Sequence, residues 1–240
     1  MSLLVAGVAV LLLNVYAAVL VALRSSVYGV RVYRPMLLNI ALSFVPVVVA
    51  VVAVVGLLGL PALQRIPLVG SEAIAVALWV YLGIGTIVWL LFFPNSIYLI
   101  TELNFSHRHE DDPIPLWFDI VQTLTLVLSG IGNAVLSLGV MQISLTVLLL
   151  DPSDGGVPAL SWLFAGIVIV LGAIGVYLGR YLRVNSWDVR HPASLVRKLR
   201  THLRERGKAL EAGGFVLTHA VLIALVHVPL YTLAYVVLIG

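Results

Sequence analysis

Apolar residues run along this chain in blocks too long and too unbroken for the one-sided 3.6-residue pattern of a soluble amphipathic helix. Residues 3–23, 36–60, 73–93, 120–150, 157–179 and 215–239 contain no Asp, Glu, Lys or Arg. A hydrocarbon core about 30 Å thick is crossed by roughly 20 apolar helical residues, so every block is long enough to span it. The pattern predicts one all-α membrane domain over 1–240, a bundle of six transmembrane helices at 3–23, 36–60, 73–93, 117–150, 157–182 and 214–239.

The fourth block is unusual in length. A single helix over 117–150 would extend about 50 Å at 1.5 Å per residue. It must tilt, protrude or break, and the expected break is at Ser129, Gly130, Ile131, Gly132 and Asn133. Pro46 and Pro229 should kink the second and sixth helices, because proline removes a backbone donor and crowds the preceding turn. Gly172, Gly175 and Gly179 in the fifth place small residues where another helix can approach closely.

Between the fifth and sixth spans the pattern changes. Residues 192–210 read PASLVRKLRTHLRERGKAL, with Leu195, Val196, Leu199, Leu203 and Leu210 on one helical face. Arg197, Lys198 and Arg204 lie opposite, flanked by Arg200 and Arg206. A basic amphipathic helix lying on the inner leaflet, in contact with anionic lipid headgroups, is the direct reading.

Charge gives the orientation. Of 14 Lys and Arg residues, 13 fall in the odd-numbered loops and only Arg65 in an even one. Because basic loops remain cytoplasmic during insertion, both termini are expected to be extracytoplasmic, in a multi-pass plasma-membrane protein. The first segment lacks a basic n-region and a small-residue cleavage site, and reads as a retained anchor. The net charge of +3 therefore belongs to topology and lipid headgroups, and nothing resembles a soluble basic module for nucleic acid. With no cysteine, disulfides, thiolate metal sites and thiol nucleophiles are excluded.

Candidate chemistry gathers at the basic ends of the helices. If the third helix continues past Pro94, Asn95, Tyr98 and Glu102 share a face. Asp119, Gln122, Ser129 and Asn133 form a polar stripe down the fourth helix, and Arg180, Arg183, Asn185, Trp187 and Asp188 close the fifth. Charges at the membrane edge are costly unless paired, so Glu102, Asp119, Arg180 and Arg183 are expected to form one network. Glu102 or Asp119 is the candidate proton-transfer group. Asn95, Tyr98, Arg180, Arg183, Asn185, Trp187 and Asp188 are candidates for holding a small anionic ligand, since guanidinium geometry matches phosphate and carboxylate. A structural salt-bridge network fits the same residues equally well.

Other motifs are weaker. His107 to Asp112 reads HRHEDD but lacks helical ligand spacing, so no metal and no cofactor are expected. His219 and His227 interrupt apolar sequence, with Tyr231 one turn beyond, which fits buried hydrogen-bonded histidines better than a proton relay. Ser129 followed by Gly130 is similar to the serine motif of rhomboid intramembrane proteases. However, Val127 stands at the first glycine position and the predicted orientation is reversed.

Taken together, PNSIYLITEL (94–103), PLWFD (115–119) and GRYLRVNSWD (179–188) resemble the signature core of a prokaryotic membrane family known as domain of unknown function 1361. The resemblance implies that Pro94, Asn95, Tyr98, Glu102, Trp117, Asp119, Arg180, Arg183, Asn185, Trp187 and Asp188 are its signature positions. It implies no activity. The leading expectation is a cytoplasm-facing polar site for a small anionic group or lipid headgroup, in a transport or accessory role. A membrane-embedded enzyme acting on a lipid-linked substrate, and a structural or assembly partner of another membrane protein, are the alternatives.

Overall fold

The computed structural model describes residues 2–59, 71–102, 113–149, 156–182 and 192–238. Described residues form helices and turns with no strand, and six helices are long and apolar enough to cross a membrane. They are α1 (Ser2–Tyr28), α2 (Arg34–Gly59), α3 (Ser71–Tyr98), α4 (Leu116–Leu149), α5 (Ala159–Tyr181) and α7 (Lys208–Leu238). A shorter helix, α6 (Pro192–Arg204), precedes the last one. The protein is a multi-pass, all-helical membrane protein.

The bundle is organised around α4, which touches each of the other five spanning helices. It is also the most buried of the six and the least hydropathic. These properties have a common cause, because eight of its polar residues face inward. Asp119, Gln122, Thr125, Ser129, Asn133, Ser137, Gln142 and Thr146 are all buried, recurring every three to five residues along the helix. That spacing keeps them on one helical stripe. Leu124, Leu128 and Val147, on its other side, are more than half exposed to the surroundings, as suits a lipid-facing surface.

No break occurs in α4, which continues unbroken through Ser129–Asn133 for 34 residues. The glycine in that stretch serves close packing instead. A methyl group at Gly130 would lie 2.7 Å from the Ser96 carbonyl oxygen and 2.9 Å from Leu99 Cβ, so only glycine admits the end of α3 at this point. Two of the glycines of α5 act in the same way, whereas Gly166 and Gly179, the latter expected at a close approach, have open space around them. Added Cβ atoms would meet Phe93 at Gly172 (2.7 Å) and Pro94 at Gly175 (2.5 Å).

Pro94 does not end α3. The α-helix runs on to Tyr98 and then tightens into a 3₁₀ turn, Leu99–Glu102. Ile97 and Leu99 are fully buried here, with Ile97 in the main apolar core beside Trp89, Phe93, Leu138 and Ile223.

The amphipathic helix is shorter than its apolar pattern suggests. It stops at Arg204, Gly207 turns the chain at φ 83°, and α7 begins at Lys208, which moves Leu210 onto the next helix. Leu195, Leu199 and Leu203 are half-buried, while Val196 remains 63% exposed. His202 Nε2 shares a 2.8 Å hydrogen bond with Tyr177 OH of α5, and Tyr177 stacks on Tyr181 and packs against Phe215. This aromatic cluster fastens α6 to the ends of α5 and α7.

Candidate functional site

Asp119 stands in the first turn of α4, where the positive end of the helix dipole favours a carboxylate. Its side chain is only 10% exposed and lies 3.1 Å from Arg24 Nη1, at the end of α1. Arg24 is 34% exposed, so the pair straddles the boundary between the bundle and its surroundings.

The connection from α1 to α2 builds the rest of this corner. Gly29 ends α1 in the left-handed conformation (φ 69°), its N–H bonding to Ser25 O at 3.0 Å. Ser25 Oγ donates to Val30 O at 2.7 Å and holds the chain as it leaves the turn. Below it Leu20, Ile114 and Phe118 form a small apolar cluster, with Tyr28 edge-on to Phe118 at 5.3 Å. The result is a pocket of about 280 Å³ with Arg24, Arg31, Tyr33, Met36 and Gln122 in its wall. Gln122 is 3% exposed, and its Nε2 lies 3.4 Å from Met36 Sδ. Its Oε1 has no hydrogen-bond partner among the described residues. Arg31 is exposed and makes no ion pair among them.

Of the expected charged network, the described residues contain only part. Asp119 finds its guanidinium on α1, in Arg24, a residue that the helix-end reasoning left out. Arg180 is half-buried in the last turn of α5, with no carboxylate in ion-pair distance among the described residues. Asn95 and Tyr98 are half-buried at the end of α3, and Tyr98 packs on the main core. The Glu102 side chain, together with Arg183, Asn185, Trp187, Asp188 and the His107–Asp112 run, lies outside the described residues. Among those described, no three His, Cys, Asp or Glu residues come together as a metal site.

Two further polar groups lie inside the bundle. Asn14 and Asn133 exchange amide hydrogen bonds of 2.8 and 3.0 Å, and Asn133 Nδ2 also donates to Ser43 Oγ at 2.9 Å. Ser96 Oγ donates to Ser43 O, which brings α1, α2, α3 and α4 into one knot. Further along α4, Gln142 Nε2 donates to Ser161 O and Oγ at 3.1 and 3.0 Å, while its Oε1 lies 2.7 Å from His227 Nε2. Thr146 and Tyr231 complete that group around Ser161. Ser129 Oγ is engaged with Thr125 O at 2.8 Å and His227 with Gln142, so these two form no serine–histidine nucleophile pair among the described residues. Lone Asn, Ser and Gln residues inside apolar runs were the sequence signal for these contacts, since unsatisfied polar groups are expensive in lipid.

Six apolar helices packed through an inward polar stripe define a polytopic helical membrane protein. The sequence profile described as "Protein of unknown function (DUF1361)" matches residues 38–226, from α2 into α7. The chain belongs to that family. No curated protein and no solved structure matches it.

Proposed function

We propose that the pocket beside Asp119 binds an anionic headgroup at the cytoplasmic leaflet of the plasma membrane, in a transport or accessory role. One observation carries this reading. The Arg24–Asp119 pair neutralises itself, and the pocket wall then adds a second guanidinium, Arg31, that has no countercharge among the described residues. A net positive pocket suits phosphate better than a cation or a neutral sugar. Its place at the end of the bundle that carries the basic loops supports the cytoplasmic assignment, because the distribution of Lys and Arg favours that end facing inward. Tyr33 and Trp117, 58% and 62% exposed, sit at the same end, where amphipathic rings favour the headgroup layer. Asn95, Tyr98 and Arg180 would extend the site on α3 and α5, joined by Arg183, Asn185, Trp187 and Asp188.

The test is lipid retention, measured by native mass spectrometry after exchange into nanodiscs of phosphatidylglycerol, phosphatidylcholine or their mixture. A parallel titration with inorganic phosphate distinguishes a free anion from a headgroup. Phosphatidylglycerol should be retained in preference. Arg31→Gln should weaken that preference at least about tenfold, as expected for one charge-assisted hydrogen bond. Equal retention of both lipids by the unaltered protein, with no response to phosphate, would refute the reading.

A further inference from the structure

A second concavity lies away from the basic end, where α1 and α7 stand apart on either side of α4. It is a groove of about 250 Å³ with an almost wholly apolar wall. Ala6 and Val10 form one side, Leu230 and Ala234 the other, and Gly132 and Gly139 of α4 lie in the floor. Its volume is just below the usual range for a complete small-molecule site, and so it suits a length of hydrocarbon chain.

Apolar walls alone would specify nothing beyond bilayer lipid. His227 changes this, because it is fully buried and forms part of the groove wall. Gln142 fixes its tautomer. The Gln142 amide nitrogen donates to the Ser161 carbonyl, an acceptor only, so it is the amide oxygen that faces His227 Nε2. That oxygen can only accept, hence Nε2 carries the proton. In the neutral imidazole Nδ1 then holds a lone pair, and Nδ1 has no hydrogen-bond partner among the described residues. A buried acceptor without a donor is costly in a protein interior and more so within a bilayer. The hydroxyls around it do not meet the need, since Tyr231 OH lies with Ser161 and Thr146.

We infer that the groove between α1, α4 and α7 binds a lipid alcohol, its chain against Gly132 and Gly139 and its hydroxyl donating to His227 Nδ1. A phosphodiester group itself offers no donor, and a bare acyl chain offers neither donor nor acceptor. The ligand class is thus an apolar chain carrying a hydroxyl. This site is separate from the basic-end pocket and depends on none of its residues. Its α1 wall and His227 both lie outside the span matched by the family profile, so the inference concerns this chain.

The experiment uses the full protein in phosphatidylcholine nanodiscs and a matched pair of photoactivatable probes. One is a diazirine-bearing hexadecanol and the other its methyl ether, which keeps the chain and removes the donor. Labelled peptides are mapped by mass spectrometry. The alcohol should label α1, α4 or α7 beside the groove about threefold to tenfold more than the ether, the range one hydrogen bond supplies. His227→Leu should bring the two probes level, and Gly139→Leu, which fills the floor, should remove both. Equal labelling by the two probes in the unaltered protein would overturn the inference without any variant. So would a preference that survives His227→Leu in protein whose thermal unfolding remains cooperative, or labelling confined to sites outside the groove.

Discussion

Neutralising Asp119 and removing Arg24 should have unequal effects, and the inequality follows from where the two groups sit. The charges are 3.1 Å apart, with the carboxylate side chain 10% exposed and the guanidinium 34% exposed. At that separation the attraction would be about 5 kcal/mol in an effective dielectric of about 20, before the cost of desolvating both groups. A fully buried pair that loses one partner typically costs about 3–5 kcal/mol, and an exposed pair no more than about 1. With one partner a third exposed, the expected loss lies between those limits. Asp119→Asn leaves Arg24 able to turn toward water or headgroup phosphate and should cost about 1 kcal/mol, discounted for screening. Arg24→Met deprives a buried carboxylate of this countercharge and should cost about 2 kcal/mol. The double variant should be milder than the sum by about 1 kcal/mol. Reversible unfolding in mixed micelles, titrated with a denaturing detergent, measures all three. If the single losses are equal and add within about 0.3 kcal/mol, the pair is uncoupled and the reasoning fails.

Four other outcomes are expected. Asn133→Ala removes three interhelical hydrogen bonds to Asn14 and Ser43 and should lower stability by about 2 kcal/mol, at about 0.6 for each bond in a membrane, in the same unfolding assay. Gly130→Ala should cost about 1–3 kcal/mol through overpacking against the Ser96 carbonyl, whereas alanine at Gly166, with open space around it, should cost nothing measurable. A peptide covering residues 192–206 should bind phosphatidylglycerol vesicles at least about tenfold more tightly than phosphatidylcholine vesicles at low salt, and equal partitioning would count against a leaflet-bound α6. Reporter fusions at both termini should be active only outside the cytoplasm, and cytoplasmic activity at either end would reverse the assigned orientation.

The helices were readable because a membrane span needs only length and the absence of charge. What sequence could not supply was which helix faces which. Asp119 meets Arg24 of α1, which reaches the same edge, a pairing that helix spacing does not reveal, while Arg183 of the expected network lies outside the described residues. The glycines around Ser129 suggested a break in α4, since glycine weakens an isolated helix. Its use at Gly130 is visible only once Ser96 lies against it. Leu210 fitted the apolar face of α6 by period, but the turn at Gly207 separates the two, and spacing takes no account of a turn. Asn14 and Ser43 drew no notice as isolated polar residues in α1 and α2, and their meaning depends entirely on Asn133 opposite.

The inward polar stripe of α4 also bears on how the protein is made. Before the bundle closes, a helix presenting Gln122, Asn133 and Gln142 to lipid has no partner for those amides, while its neighbours enter the bilayer at little cost. Its residence in the membrane is therefore conditional on company. During synthesis α1, α2 and α3 emerge first and already carry Asn14, Ser43 and Ser96, so α4 can be received by an acceptor half-bundle. The Gln142 half of the stripe must wait for Ser161 and His227, which arrive with α5 and α7. A truncated or stalled chain would leave that half exposed to lipid, marking it for the proteases that survey unassembled membrane proteins.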